Sequence, residues 1–150
     1  MIPARSSRHA LSCFRHLSQS QAEIPLIPAV QFSRASSWVG AQDSNDLFIS
    51  AITILEIERG ILTIQRRDAA QGSRLRGWMD SRVRPEFAER VLPIDDAIAT
   101  RCAHLHIPDR RNEADALIAA TALVRGLTVV TRNVQDFDDT GVIVVDPWQD

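Results

Sequence analysis

From Asp46 onward, short apolar runs alternate with amphipathic stretches, whereas neither period is evident before Trp38. Leu47-Phe48-Ile49-Ser50 is apolar without alternation, which predicts a short strand buried on both faces. It feeds directly into a helix that starts near Ala51. There Ile54, Ile57, Ile61 and Ile64 recur at i, i+3, i+7 and i+10 as a core-facing stripe. Thr53, Glu56, Gly60 and Thr63 form a second, small or polar stripe at the same spacing. A polar connection is expected over 65–70, then a second helix over 72–84 with Leu75, Trp78, Met79 and Val83 facing the core and Pro85 ending it. Residues 90–94 read as a short strand, and Asp95 as the N-cap of a helix through Leu105. A loop around Pro108 follows over 107–111, with Arg110 and Arg111 expected to be exposed. Asn112 caps a helix of small and apolar residues that Gly126 stops, because glycine enters the left-handed C-cap conformation without a Cβ penalty. Leu127-Thr128-Val129-Val130 is a β-branched run suited to a buried strand, and 142–145 a last strand closed by Pro147. Strands alternating with helices imply parallel βαβ units and an α/β fold.

At 150 residues the chain fits one domain with a real core. No run approaches the roughly 18–20 apolar residues of a membrane span. The net charge of -2 excludes a broadly basic nucleic-acid binder but not a local basic patch. Two cysteines, Cys13 and Cys102, make no disulfide framework, so a cytoplasmic location is expected. All 17 basic residues are Arg, which reads mainly as codon bias, with RNA binding as a minor reading. The charge changes sign along the chain: residues 1–37 hold four Arg against Glu23 alone, and the remainder holds 13 Arg against 18 acids. The first 37 residues are also Ser-rich and carry Pro3, Pro25 and Pro28. They read as a disordered leader before a domain at 38–150, with a transit peptide as the other reading.

Four oxygen-bearing side chains follow predicted strands or open helices: Glu56, Asp115, Asn133 and Asp136. Sites in open α/β sheets lie outside the carboxyl ends of the strands. Carboxylates gathered there repel one another, and Mg2+ or Mn2+ would offset that repulsion. Each residue also has a plainer role. Glu56 suits a solvated helix face, Asp115 completes something close to a capping box with Asn112, and Asn133 and Asp136 suit a turn. Cys102, His104 and His106 suggest a metal site, but neighbours two apart on a helix diverge, so the three are not expected to converge. Arg74, Arg76, Arg82 and Arg84 form either a solvated face or a track for a phosphate backbone or acidic partner.

FISAITILEIERGI (48–61), RVLPIDDAIA (90–99), DALIAATALVRGLTVVTRNVQDF (115–137) and VDPW (145–148) together resemble a PIN-domain protein, and more narrowly a VapC-type toxin of a type II toxin–antitoxin system. The resemblance runs from about Trp38 to Trp148 and implies a parallel sheet flanked by helices. It also implies a metal-dependent, dimeric endoribonuclease that cuts RNA and is held inactive by a small antitoxin. By motif, Glu56 matches the acid of T-x-x-E, and Asp115 the acid opening D-A-x-I-A-A. Asn133 and Asp136 match T-R-N/D-x-x-D-F, with Thr131 and Arg132 at its edge. Glu56, Asp115 and Asp136 are then the catalytic acids, and with Asn133 the metal ligands.

One element departs from the family. Its members begin with an apolar strand ending in a D-T-N type motif, whose Asp is a central metal ligand. Measured back from Glu56, that motif belongs near residues 15–22, which read RHLSQSQA. The central strand is therefore expected to be missing or altered. The alternative function is a catalytically defective homologue that retains only antitoxin binding or dimerisation. A phosphatase or receiver-like domain ranks last, because it needs a nucleophilic Asp after an early strand. Residues 1 to about 36 are expected to come from a shifted frame or a wrong start. Resequencing the gene tests this: an upstream frame encoding a strand plus D-T-N agrees, and intact in-frame DNA without one refutes it.

Overall fold

A computed structural model of the chain describes residues 9–11 and 37–149. Its centre is a five-stranded, wholly parallel sheet in the order β3-β2-β1-β4-β5, formed by Val91–Leu92, Leu47–Ser50, His9–Leu11, Thr128–Val130 and Val144–Val145. The central strand is thus present but altered. It lies upstream of the expected window, and the chain after Leu11 continues as Ser12, with no acid before Glu23. Three residues are too few to show a period, which is why the pattern gave no sign of it. Otherwise the expected leader lies outside the described residues.

All four residues of β2 are buried because helices cover both faces of the sheet. Leu47 and Ile49 join Ile57, Ile61, Leu75 and Met79 on one side. Phe48 and Ala10 join Val129, Ile118, Ala119 and Phe137 on the other. Ser50 ends β2 and caps α1 (Ala51–Arg67), its hydroxyl accepting the Ile52 N–H at 3.1 Å. Ile57 and Ile61 are fully buried, with Ile54 and Ile64 packed at the margin, so the isoleucine stripe is the core face.

The expected connection over 65–70 is instead helical except for Asp68. That residue's N–H closes α1 on the Ile64 carbonyl at 2.8 Å, and its carboxylate caps α2 (Ala69–Trp78) through the Gln71 N–H at 2.9 Å. One residue can turn the chain because Gly72 lets the helices touch: a Cβ there would meet Gln65 Cα at 2.5 Å. Past α2 the helix widens into a π-helical turn, Met79–Val83, and Pro85 sits inside the final turn, Arg84–Glu86, rather than ending the helix before it. The wider turn accommodates a residue with no N–H to donate. Glu58 on α1 receives Arg76 at 2.8 and 2.7 Å and Arg84 at 2.7 Å. The hydrogen bond from Arg76, helped by Arg84, holds the Glu58 carboxyl below the usual carboxylate range. Two of the four arginines on the expected basic face are therefore turned to an internal pair.

On the other side, α3 (Asp96–Leu105) packs on α4 (Glu113–Arg125) through Ile98, Cys102, Ala116 and Ala120. Asp95 caps α3 as expected, and Gly126 ends α4 at φ 65°. No helix among the described residues is long and apolar enough to cross a membrane.

His9, in the central strand, is buried, its ring edge-on to Trp38 at 5.0 Å and its Nδ1 without a hydrogen-bond partner. Burial lowers its pKa below 6.5, against smaller opposing effects of Asp46 and Gln42. The unfolded chain therefore takes up the proton first, and stability is lost as the pH falls from about 6.5 through the folded value. Urea midpoints measured between pH 8 and 5 should fall more steeply for the native protein than for His9→Phe. Parallel curves would contradict the burial of His9.

Candidate active site

The sheet register places Leu11, Ile49 and Val130 side by side. The next residues along β2 and β4, Ser50 and Thr131, are both buried, so the carboxyl edge at the middle of the sheet is well packed. This is the edge where open α/β sheets bind ligands. Both α1 and α4 begin there, and they contact each other.

Glu56 stands in the second turn of α1, half-buried. Its stripe is not a solvated face, since Thr53 and Gly60 on either side of it are buried and only Thr63 is exposed. Asp115 is 3% exposed in the first turn of α4. Asn112 provides the cap, its Oδ1 accepting the Ala114 N–H at 3.0 Å and the Asp115 N–H at 3.4 Å. A carboxylate buried this far requires compensation, and the positive end of a helix supplies part of it.

After β4, the buried Thr131 hydroxyl accepts the Asn133 N–H at 3.1 Å. The Asn133 side-chain amide in turn donates to the Asp136 carboxylate. Asp136 lies in a 3-10 turn, Val134–Phe137, anchored by the buried ring of Phe137. Asn133 and Asp136 are thereby joined directly, while Glu56 and Asp115 approach the same edge from two touching helices. Arg132 points to solvent. The candidate ligands offer only oxygen, and hard divalent cations such as Mg2+ fit such a set.

A second cluster was only half anticipated. Cys102, His106 and Glu113 place one ligand atom each within 4.8 Å of the others, whereas His104 is exposed and takes no part. Cys102 and His106 converge because four residues, unlike two, return to the same helix face. The Nε2 of His106 lies 3.8 Å from the Cys102 sulfur and 3.5 Å from the Glu113 carboxylate. Its Nδ1 accepts the Arg111 N–H at 3.1 Å, so the neutral ring carries its proton on Nε2 and has no lone pair there for a cation. Burial, with the Glu113 charge, also pushes the Cys102 thiol up. As arranged here, the three side chains form a hydrogen-bonded cluster.

Sequence reasoning missed Arg111, which it left in an exposed loop. Its Nε donates to the Leu105 carbonyl at 3.1 Å and its Nη1 to the Asp138 carbonyl at 2.7 Å. No spacing rule marks a contact between residues 27 positions apart.

The PIN domain family model matches residues 28–143. The plasmid stability protein StbB of Pseudomonas syringae pv. tomato is 35% identical over 120 residues, 75% of this chain and 83% of the relative. The VapC ribonuclease Y4jK of Sinorhizobium fredii is 34% identical over 121 residues, with the same shares. The crystal structure of FitAcB from Neisseria gonorrhoeae superposes with a TM-score of 0.74 at 25% identity, covering 94% of this chain and 99% of that one.

The cap that holds the start of α4 has a measurable worth. Asn112→Ala removes the acceptor for two helix N–H groups and should lower stability by about 1 kcal/mol, read as a shift in urea midpoint. An unchanged midpoint would mean that Asn112 does not fix the position of Asp115.

Proposed function

Because the chain belongs to the PIN-domain family, we propose that it is a divalent-metal-dependent endoribonuclease toxin that hydrolyses RNA phosphodiester bonds. The observation that carries this reading is the buried Asp115 at the start of α4, on the same sheet edge as the Asn133–Asp136 pair. Glu56, Asp115 and Asp136 would hold Mg2+ or Mn2+, with Asn133 beside them. When bound, the cation supplies a water of lowered pKa and offsets the negative charge that develops on the phosphoryl group. Asp115, at the positive end of α4, would anchor the cation there. Asn133 orients the Asp136 carboxylate through its amide, and Thr131 holds Asn133 in turn. Glu56 brings the third carboxylate in from α1.

The partners proposed are an RNA substrate, a cognate antitoxin and a second copy of the chain, in the cytoplasm. Leu55 and Leu62, two turns apart on α1 and about half exposed, offer apolar surface for a protein partner.

One observation favours a second reading. No acid precedes Glu23, so the family's Asp after β1 has no counterpart here. Loss of one ligand from a small carboxylate cluster weakens the metal, and the chain would then keep only partner binding. Incubation of the purified protein with a mixed RNA pool and Mg2+ decides between the two. Cleavage that is lost on removing the metal and falls at least a hundredfold in Asp115→Asn supports the nuclease. Absence of cleavage by a folded protein supports the binding-only homologue.

A further inference from the structure

We propose that Arg111 is a positioning residue that sets the separation of the two metal-binding limbs of the site, the Asp115 helix start and the Asp136 turn. This rests on the metal-site reading above.

Arg111 makes four connections within a few residues. Its N–H donates to His106 Nδ1 at 3.1 Å, and its Nε donates to the Leu105 carbonyl at 3.1 Å, both at the end of α3. Its Nη1 donates to the Asp138 carbonyl at 2.7 Å, two residues beyond Asp136. Its peptide bond leads into Asn112, whose side chain caps the helix carrying Asp115. The guanidinium is planar and rigid, so donors aimed at two carbonyls fix one against the other, as a flexible ammonium would not. The Leu105 carbonyl sits at the negative end of α3, which suits a cation. The turn on the far side is itself well tied: Asp138 N–H donates to Gln135, and the Thr140 hydroxyl to Phe137 at 2.6 Å. Asp136 therefore moves with Asp138, and Asp115 with Arg111. Both grips of the side chain are on backbone carbonyls, so the brace does not depend on which side chain stands at position 138.

Removing groups that orient metal ligands from behind typically costs about 10–100-fold in metal affinity. Mn2+ binding by calorimetry, with the thermal midpoint recorded alongside, should show Arg111→Ala weakened at least tenfold at a temperature where it remains folded. Arg111→Lys should fall between the two, and the exposed neighbour Arg110→Ala should match the native protein. Without metal, amide exchange at Asp115 and Thr140 should quicken in Arg111→Ala, a readout that survives even where Mn2+ affinity is low. Equal Mn2+ affinity in the native protein and Arg111→Ala overturns the brace and leaves the metal site standing. No Mn2+ binding by the native protein overturns the metal site itself, and amide exchange unchanged in Arg111→Ala overturns the brace.

Discussion

Three residues, His9–Leu11, pair on both edges and join the two halves of the molecule. On one side they carry β2, whose end becomes α1 and delivers Glu56. On the other they carry β4, whose end becomes the turn with Asn133 and Asp136. A strand in this position has no exposed face, so it suits small or apolar side chains, and Ala10 meets that demand at 2% exposed. His9 does not. It is packed against Trp38 with one ring nitrogen unpaired, and the cost of that burial is a core that weakens on acidification. The same strand sets the register that lines up Ser50 and Thr131, and each of those then uses its hydroxyl to start the next element.

The proposed site follows from that arrangement without any special loop. Parallel strands place all their carboxyl ends on one edge, and α1, α4 and the turn after β4 bring the proposed oxygen ligands to it. Asp115 arrives on a helix start, where the backbone favours an anion. Asp136 arrives on a turn ordered by Thr131 and Asn133. Family membership and the match to proteins named as a ribonuclease and a plasmid stability protein give this edge its chemical reading. The sequence between β1 and Glu23 holds no acid that could add a further carboxylate to it.

Much of this was legible in local patterns. The isoleucines of α1, the Asp95 and Asn112 caps and the Gly126 stop each depend on a few adjacent residues, and all stand where the sequence puts them. What escaped depends on distant partners. β1 is too short for periodicity and is a strand only because two others flank it. The α1–α2 turn looked like a loop because its residues are polar. It is tight because Gly72 meets Gln65, which only packing reveals. Arg76 and Arg84 looked like a free basic face until Glu58 claimed both. Cys102 and His106 were set aside with His104, although spacing of four should have kept those two together. The carboxylates themselves were visible as turn and cap residues, but spacing could not separate that role from catalysis.

The central claim is that Glu56, Asp115 and Asp136 gather a divalent cation at the carboxyl edge of the sheet although β1 brings no acid. A crystal grown with Mn2+ tests it most directly, through the anomalous scattering of the ion. The account predicts one strong peak among these three carboxylates, absent in a crystal of Asp115→Asn. A well-ordered edge without that peak, or a peak that persists in Asp115→Asn, would contradict it.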